Sequence, residues 1–284
     1  LQRIGFVRTV RTPQFDGVTF HEVLCKSALN KIPSAAMLPF QFTVNGYRGC
    51  AHACRYCFAR PTHEYLEFNP GGDFDSQIVV KTNIVEVLRR ELARPSWRRD
   101  TVALGTNTDP YQRAEGRYAL MPGIISALAE SGTPLSILTK GTLLRRDLPL
   151  IADVAQRVPL SVAISLAVGD PELHRDVEPG TPSPAARLEL ITAVRAAGLD
   201  CHVMVAPVLP HLTDSVEHLD RLLGQISAAG ATGVTVFGLH LRSSTRGWFM
   251  GWLARSHPEL VPTYRTLYRR SAYLPADYRC MLRH

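Results

Sequence analysis

Three cysteines lie close together in the stretch GCAHACRYCF, which spans residues 49–58. Cys50, Cys54 and Cys57 have the spacing C-x3-C-x2-C, and the stretch contains no fourth cysteine. Thiolates grouped in this way are typical ligands of a metal ion or an iron–sulfur cluster. The possible sites differ in the number of thiolate ligands that they need, so the absence of a fourth cysteine helps to choose between them.

Three hypotheses account for the cysteine stretch. A structural zinc site needs four ligands, so His52 or His63 would have to complete it. A turn without any metal is the second hypothesis, although buried cysteines seldom cluster without one. The third is a [4Fe–4S] cluster with three thiolate ligands and one open iron. S-adenosylmethionine (SAM) would chelate that iron, and one electron would cleave it to methionine and a 5′-deoxyadenosyl radical. The absence of a fourth cysteine favours this third hypothesis.

Alternating β-rich runs and amphipathic helical patterns follow from about residue 41. The predicted strands are 41–45, 101–105, 135–139, 160–165, 201–207 and 233–238. A helix is predicted over 82–94 with Thr82 as a possible N-cap, and another over 183–198 that ends at Gly198. Six βα units in a row imply a parallel sheet, because each right-handed crossover returns the chain to the same end.

The predicted fold is α/β, a partial (β/α)6 TIM-type barrel with an N-terminal extension and a C-terminal helical tail. No strand is followed by G-x-G-x-x-G, which argues against a doubly wound dinucleotide-binding sheet. The predicted divisions are an extension over 1–40, the barrel over 41–246 and a tail over 247–284. The tail is rich in aromatic residues and arginine. It is expected to pack on the barrel, with stacking against a nucleic acid as the alternative.

Composition indicates a soluble cytoplasmic protein. The 284 residues are 45% hydrophobic, enough for a large core, yet no run approaches the roughly 18 apolar residues of a membrane helix. The start carries no signal-peptide pattern. Cys25, Cys201 and Cys280 lie far apart, so the thiols are expected to be reduced. The formal charge of +7 permits an anionic partner such as nucleic acid, although an arginine-rich composition alone also explains it.

The cysteine spacing, with Tyr56 before the last cysteine, resembles that of the radical SAM superfamily. Further segments are similar to its spore-photoproduct-lyase-like branch, often labelled DNA repair photolyase. These segments are NGYRGCAHACRYCFARPTHEYL, GTNTDPYQRAE, LTKGTLLRRD, VEPGTPSPAARL and VMVAPVLPHLTD. The resemblance covers about residues 40–214. It implies a [4Fe–4S] cluster on Cys50, Cys54 and Cys57, SAM as second cofactor, a one-electron reductase of the flavodoxin or ferredoxin type, and a nucleoside or nucleic-acid substrate.

The end of the second predicted strand carries a candidate SAM contact. Thr106, Thr108 and Asp109 follow this strand, so they are expected at the rim above the cluster. A carboxylate with hydroxyls suits the ammonium group of SAM. The alternative is a simple turn, because Asp-Pro often begins one.

Further SAM contacts are implied by the resemblance. Lys140 would pair with the SAM carboxylate, although a surface lysine is the alternative. Ser165 could bond the ribose or the carboxylate, and Arg187 could add a second positive group unless it is solvated. Ala206 would pack against the adenine at the end of the fifth strand, and the backbone of Tyr56 would touch the base.

One position departs from the spore photoproduct lyases. Those enzymes carry a hydrogen-donating cysteine beside the acidic segment after the second strand, and Thr106 stands in that place. Cys201 begins its strand and is expected at the opposite end of the barrel, which leaves Cys280 as a weak catalytic candidate. The expected function is hydrogen abstraction from a nucleoside-containing substrate, in nucleic-acid repair or modification or in natural-product biosynthesis. The alternative is a zinc-stabilised nucleic-acid-binding protein without catalysis.

Overall fold

A computed structural model describes residues 5–33 and 38–282, and it contains two β-sheets. In chain order the strands are β1 (Phe6–Val10), β2 (Thr19–Val23), β3 (Leu29–Lys31), β4 (Phe42–Val44), β5 (Tyr47–Arg48), β6 (Gln77–Lys81), β7 (Val102–Leu104), β8 (Leu135–Thr139), β9 (Leu160–Ser165), β10 (Cys201–Val208) and β11 (Gly233–Gly238). The larger sheet has the order β11-β10-β9-β8-β7-β4-β3. Its neighbours from β4 to β11 are all parallel, and β3 is antiparallel. The predicted partial (β/α)6 barrel is confirmed.

Helices connect the parallel strands, and further helices lie before β6 and after β11. They are α1 (Gly72–Ser76), α2 (Ile84–Leu92), α3 (Glu115–Tyr118), α4 (Leu120–Glu130), α5 (Leu144–Ala155), α6 (Pro171–Val177), α7 (Pro184–Ala196), α8 (Val216–Ala228), α9 (Ser243–Ser256), α10 (Val261–Leu267) and α11 (Ala276–Met281). Ser183, the first residue of the predicted helix over 183–198, caps α7 by accepting the Ala186 N–H at 3.2 Å. Thr82 does not cap α2. Its hydroxyl donates to the Val23 carbonyl at 3.4 Å, and α2 begins after Asn83.

The smaller sheet was not predicted from the sequence. Its order is β1-β2-β6-β5, and β6 pairs in parallel with β2 and antiparallel with β5. The described part of the predicted N-terminal extension therefore contributes β1 and β2 to this sheet and β3 to the larger one. β5 leads directly into the cysteine loop, so the smaller sheet anchors the start of that loop.

The C-terminal segment places several aromatic rings against the barrel. Trp252, Tyr264 and Tyr268 are buried in one cluster with Cys54 and Tyr56 of the cysteine loop. The Tyr264 hydroxyl donates to the Pro210 carbonyl and the Tyr268 hydroxyl to the Leu239 carbonyl, both at 2.8 Å. Burial of these rings and satisfaction of their hydroxyls fix the segment over the same end of the sheet as the cysteines. Among the described residues, no helix has the length and apolar character that crossing a membrane requires.

Candidate active site

The cysteine loop presents three free thiols at the carboxyl ends of the parallel strands. Cys50 and Cys54 are buried and Cys57 is partly buried. Burial raises the pKa of the Cys54 thiol well above its ordinary value, and the negative charges of Glu178, Cys57 and Cys50 raise it further. Burial, followed by the charge of Cys50, raises the pKa of Cys57 to about 11. Cys57 packs against the buried cluster that contains Cys54 and against the one that contains Cys50, so the three thiols lie in a common region.

Arg60 holds the loop from inside the protein. It is fully buried and donates to the Cys54 carbonyl at 2.9 Å and to the Gly71 carbonyl at 2.8 Å. It also pairs with Asp75 at 2.9 Å, and its guanidinium lies 4.6 Å from the Trp248 ring centroid. Arg60 therefore orders the loop backbone and places a cation beside the thiols, a role that the sequence motif alone did not indicate.

Thr108 and Gln112, which follow β7, hold the cysteine loop by hydrogen bonds. The Thr108 hydroxyl donates to the Gly49 carbonyl at 2.6 Å, and the Gln112 amide donates to the same carbonyl at 3.0 Å. The Gln112 side-chain oxygen accepts the Ala51 N–H at 3.1 Å. Thr108, predicted as a SAM contact, is thus buried in bonds that shape the cysteine loop. Gln112 was not singled out from the sequence, although it lies in the GTNTDPYQRAE segment.

Gly180 lies against the loop at a distance that excludes a side chain. Its N–H donates to the His52 carbonyl at 3.1 Å. A Cβ at this position would lie 2.0 Å from the Ala51 carbonyl oxygen and 3.0 Å from the His52 carbonyl carbon. Glycine is therefore required because the backbones of two loops touch here.

We expect Gly180→Ala to impair retention of the metal group while the chain still folds. The added methyl must push the cysteine loop away from the 177–184 loop, which displaces the thiols from one another. Iron content of the anaerobically reconstituted variant measures the effect. Gly224→Ala in α8 is the matched control, because a Cβ there meets nothing within 4 Å. Equal iron content in both variants would contradict the proposed contact.

Asp109 is bonded within the protein through both carboxylate oxygens. One oxygen accepts from the Thr139 hydroxyl and from the Tyr111 N–H at 2.9 Å, and the other accepts the Lys140 N–H at 2.7 Å. His52 Nδ1 lies 3.4 Å from the second oxygen. Burial alone would raise the pKa of Asp109, but the charge and hydrogen bond of His52 lower it. Asp109 thus joins the ends of β7 and β8 and faces the cysteine loop.

His52 is buried beside the cysteine loop, with its Nδ1 3.4 Å from a carboxylate oxygen of Asp109. Burial alone would lower its pKa, but the negative charges of Cys50 and Asp109 raise it to about 10. His63 is bonded through one ring nitrogen, since its Nε2 lies 2.9 Å from the Gln77 carbonyl oxygen, whereas its Nδ1 has no hydrogen-bond partner among the described residues.

The thiols fit an iron–sulfur cluster better than a zinc ion. The described chain holds no group of three or more His, Cys, Asp or Glu side chains close enough to hold a metal ion. A cluster of four irons holds its thiolates farther apart than one ion does. Three free thiols, two of them buried, beside the cation Arg60 suit such an anionic group.

Four residues predicted to contact SAM meet around one buried carboxylate, Glu178. Glu178 is fully buried, accepts from the Tyr56 hydroxyl and pairs with Arg187 at 2.5 Å. Lys140 Nζ lies 3.9 Å from Glu178 and donates to the Ser165 hydroxyl at 2.6 Å. Arg187 also donates to the Ser165 carbonyl at 2.9 Å. We call these five side chains the Glu178 cluster.

In the Glu178 cluster, the negative charge of Glu178 is paired with the positive charges of Arg187 and Lys140. Burial alone would raise the pKa of Glu178, but Arg187 and Lys140 lower it to about 2, so it is a carboxylate at neutral pH. Arg187 is fully buried rather than solvated. The Lys140 side chain keeps 14% of its surface exposed, and its Nζ lies 5.7 Å from the Tyr56 ring centroid. Lys140 is thus the cation of this cluster that a ligand can reach.

Thr106 carries a polar atom without a partner. Its hydroxyl is buried and makes no hydrogen bond to any residue that the structure describes. An unsatisfied buried hydroxyl at the end of β7 costs free energy unless a ligand completes it. Ala206 is partly buried in β10, which continues to Val208, one residue beyond the predicted end.

The two remaining cysteines of interest lie in different environments. Cys201 is fully buried as the first residue of β10, at the strand end opposite the cysteine loop, as expected. Cys280 is exposed on α11, next to Tyr278, whose hydroxyl bonds Asp214. Cys280 therefore remains a weak candidate for the hydrogen donor.

Comparison with known proteins agrees with this geometry. Residues 44–223 match the Radical SAM superfamily. An uncharacterized protein of Mycobacterium tuberculosis is 83% identical over 283 residues, which are 100% of this chain and 83% of the relative. An uncharacterized protein of Methanocaldococcus jannaschii is 25% identical over 256 residues, 89% of this chain and 88% of the relative.

The fold also matches solved structures of spore photoproduct lyase. One of them is a double mutant with bound AdoMet and dinucleoside spore photoproduct, with a TM-score of 0.59 and 15% identity. The match covers 81% of this chain and 64% of the lyase, so this chain spans slightly less than two thirds of that protein. At this identity the likeness shows a shared fold. Members of the superfamily use a [4Fe–4S] cluster and SAM. With its match over 44–223 and its three convergent thiols, this chain belongs to the radical SAM superfamily and is a radical SAM enzyme.

Proposed function

We propose that this enzyme abstracts hydrogen from a nucleoside-containing substrate, with Cys50, Cys54 and Cys57 as the cluster ligands. The observation that carries the proposal is the convergence of three free thiols with the Glu178 cluster at the carboxyl ends of the parallel strands. When bound, the [4Fe–4S] cluster supplies the electron that cleaves SAM reductively to methionine and a 5′-deoxyadenosyl radical. A reductase of the flavodoxin or ferredoxin type is the proposed electron donor.

The nucleoside substrate is inferred from two observations. The fold resembles a lyase whose solved structure contains a dinucleoside spore photoproduct. The formal charge of +7 suits an anionic partner. Both nucleic-acid repair or modification and nucleoside natural-product biosynthesis agree with these observations.

The residues predicted to bind SAM divide into direct and indirect roles. Lys140 pairs with the carboxylate of SAM, and Ser165 orients the lysine. Arg187 acts as a positioning residue, because its guanidinium is already bonded to Glu178 and to a backbone carbonyl. The Tyr56 backbone and Ala206 contact the adenine.

At the end of β7 the roles are also divided. We assign the unpartnered Thr106 hydroxyl to a direct polar contact with the cofactor or substrate. Thr108 is bonded to the cysteine loop, and Asp109 to the end of β8 and to His52. These two residues shape the rim. Because its carboxylate is already bonded within the protein, Asp109 attracts the SAM ammonium by its negative charge and not as a free side chain.

We expect Lys140→Ala to weaken SAM binding by about 1–3 kcal/mol, because a charged hydrogen-bond partner is lost. Iron content should stay unchanged, since Lys140 is no cluster ligand. Anaerobic equilibrium dialysis with labelled SAM measures the change. Arg145→Ala, which removes an exposed cation from the next helix, is the control and should bind SAM like wild type. Unchanged affinity in Lys140→Ala would show that the SAM carboxylate lies elsewhere.

We expect no multiple-turnover conversion of dinucleotide spore photoproduct to thymines. Thr106 has no weak S–H bond, so it cannot return hydrogen to a product radical as the lyase cysteine does. Dithionite should still drive formation of 5′-deoxyadenosine from SAM. Chromatography of an anaerobic reaction measures both products. Multiple-turnover repair would contradict this expectation, and its loss in Cys280→Ala would then identify the hydrogen donor.

A further inference from the structure

Most of the net positive charge of the chain comes from its last segment. Residues 241–284 contain eight arginines, no lysine and two acidic residues, so this segment carries +6 of the formal charge of +7. The other 240 residues are almost neutral. A net positive charge in one segment suits the binding of a polyanion to the face that this segment forms.

A row of planar side chains begins beside the cysteine loop. Phe58 directly follows Cys57 and is 54% exposed. Its ring centroid lies 5.8 Å from that of His240, which lies 5.9 Å from that of Tyr273. The Arg242 guanidinium lies 4.8 Å from the Tyr273 ring centroid. We call these four side chains the aromatic ladder.

Backbone contacts hold the aromatic ladder in place. His240 comes shortly after the end of β11, at the same edge of the barrel as the cysteine loop. His240 and Tyr273 form an isolated β-bridge, and the Leu241 N–H donates to the Ala272 carbonyl at 2.8 Å. Burial and the neighbouring Arg242 lower the pKa of His240, so its ring is neutral at pH 7. Tyr273 remains 41% exposed. The rings are thus ordered by the backbone while part of their surface stays open.

A basic groove continues the row away from the thiols. It has a volume of about 540 Å³ and lies between α10 and α11. Tyr273 of the aromatic ladder lines it together with Arg269, Arg270 and Arg279, and its lining contains no acidic side chain. The groove and the ladder share one tyrosine, so they form one continuous surface.

We propose that the aromatic ladder and the basic groove form a docking track for a single-stranded nucleic acid. This inference rests on the proposed function, because it supplies the substrate class for the same site. Bases stack on Phe58 and Tyr273, and backbone phosphates pair with the arginines of the groove. An unpaired strand is favoured over a duplex, because duplex bases have their faces covered by their neighbours. Since Phe58 adjoins Cys57, a strand on this track is delivered to the thiols.

Fluorescence anisotropy of a labelled oligonucleotide of about 12 nucleotides tests the track, within the usual site size. The protein is the anaerobically reconstituted enzyme, and single-stranded and duplex forms are compared. We expect tighter binding of the single strand. Phe58→Ala and Tyr273→Ala should each weaken it by about fivefold to a hundredfold, the range for losing one stacked base. Tyr65→Ala removes an aromatic side chain that is 85% exposed outside the track and should bind like wild type.

Salt dependence tests the groove separately. Arg269→Ala combined with Arg270→Ala should reduce the slope of log affinity against log salt by about 1.4, since each phosphate contact on a single strand contributes about 0.7. Arg90→Ala with Arg94→Ala changes net charge equally, at exposed positions in α2 and just after it, and should leave the slope unchanged.

The failure of this inference differs from a failure of the proposed function. Equal binding of duplex and single strand, equal loss in the control variants, or equally tight binding of polyglutamate would overturn the track. A working SAM cleavage reaction with any of these results would leave the proposed function standing. Specific single-strand binding by a protein that holds no iron would support the track and overturn the proposed function.

Discussion

Replacing Cys50, Cys54 or Cys57 by alanine is expected to abolish the iron–sulfur cluster and, with it, all reductive cleavage of SAM. The proposed cluster has only three protein ligands, so each thiolate is required to hold it. Iron and sulfide analysis after anaerobic reconstitution measures the loss, and chromatography of 5′-deoxyadenosine measures the activity. Wild type should hold about four irons per chain, the composition of the cluster.

Cysteines outside the loop provide the controls for this result. Cys280→Ala removes an exposed thiol, and Cys25→Ala removes a partly buried one. Both variants should retain iron and cleave SAM, because neither thiol lies in the cysteine loop. Full iron content in any of the three loop variants would contradict the ligand assignment.

Replacing Glu178 by alanine is expected to lower the free energy of unfolding by about 3–5 kcal/mol, the range for breaking a buried ion pair. Both Glu178 and Arg187 are fully buried, so the variant leaves a guanidinium without its counter-charge. The pKa of Glu178 is lowered from 4.5 to about 2. A lowered acid pKa means that its stabilising contribution is present above the unfolded value and is lost as pH falls toward 2. At neutral pH it is present in full, on the order of 3 kcal/mol.

Thermal unfolding under anaerobic conditions measures the Glu178 effect. Asp153→Ala is the control, because Asp153 and Arg157 form an exposed pair whose loss should cost no more than about 0.5 kcal/mol. Glu178→Leu combined with Arg187→Met should recover much of the loss, since apolar side chains of similar volume leave no buried charge. Equal destabilisation by the single and double variants would show that packing, not charge, dominates this position.

The barrel and the cysteine loop could be predicted from the sequence because their signals are local. The six parallel strands are short apolar runs between amphipathic helices, and all six lie within a few residues of their predicted bounds. The cysteine spacing likewise depends on ten consecutive residues. Ser183 and Pro184 gave a reliable start for α7, since the capping chemistry is contained in the segment itself.

The smaller sheet and the Glu178 cluster could not be predicted in this way. β5 has only two residues and is a strand because β6 pairs with it. Glu178 lies in a proline-rich loop and meets Tyr56 across 122 positions of sequence, a contact that no local pattern records. The polar side chains Thr106, Thr108 and Asp109 follow the end of β7, and their role toward SAM stays a prediction. The partners of Thr108 and Asp109, which are Gly49 and His52, belong to the cysteine loop and meet these side chains only in the folded protein, so the sequence alone does not indicate the contacts.

The most direct test of the central claim is the electron paramagnetic resonance spectrum of anaerobically reconstituted, dithionite-reduced wild type, recorded with and without SAM. We expect the signal of a reduced [4Fe–4S] cluster whose shape changes when SAM is added, because the iron without a cysteine ligand accepts it. The same sample should form 5′-deoxyadenosine. A protein that takes up stoichiometric zinc and no iron under these conditions would contradict the account.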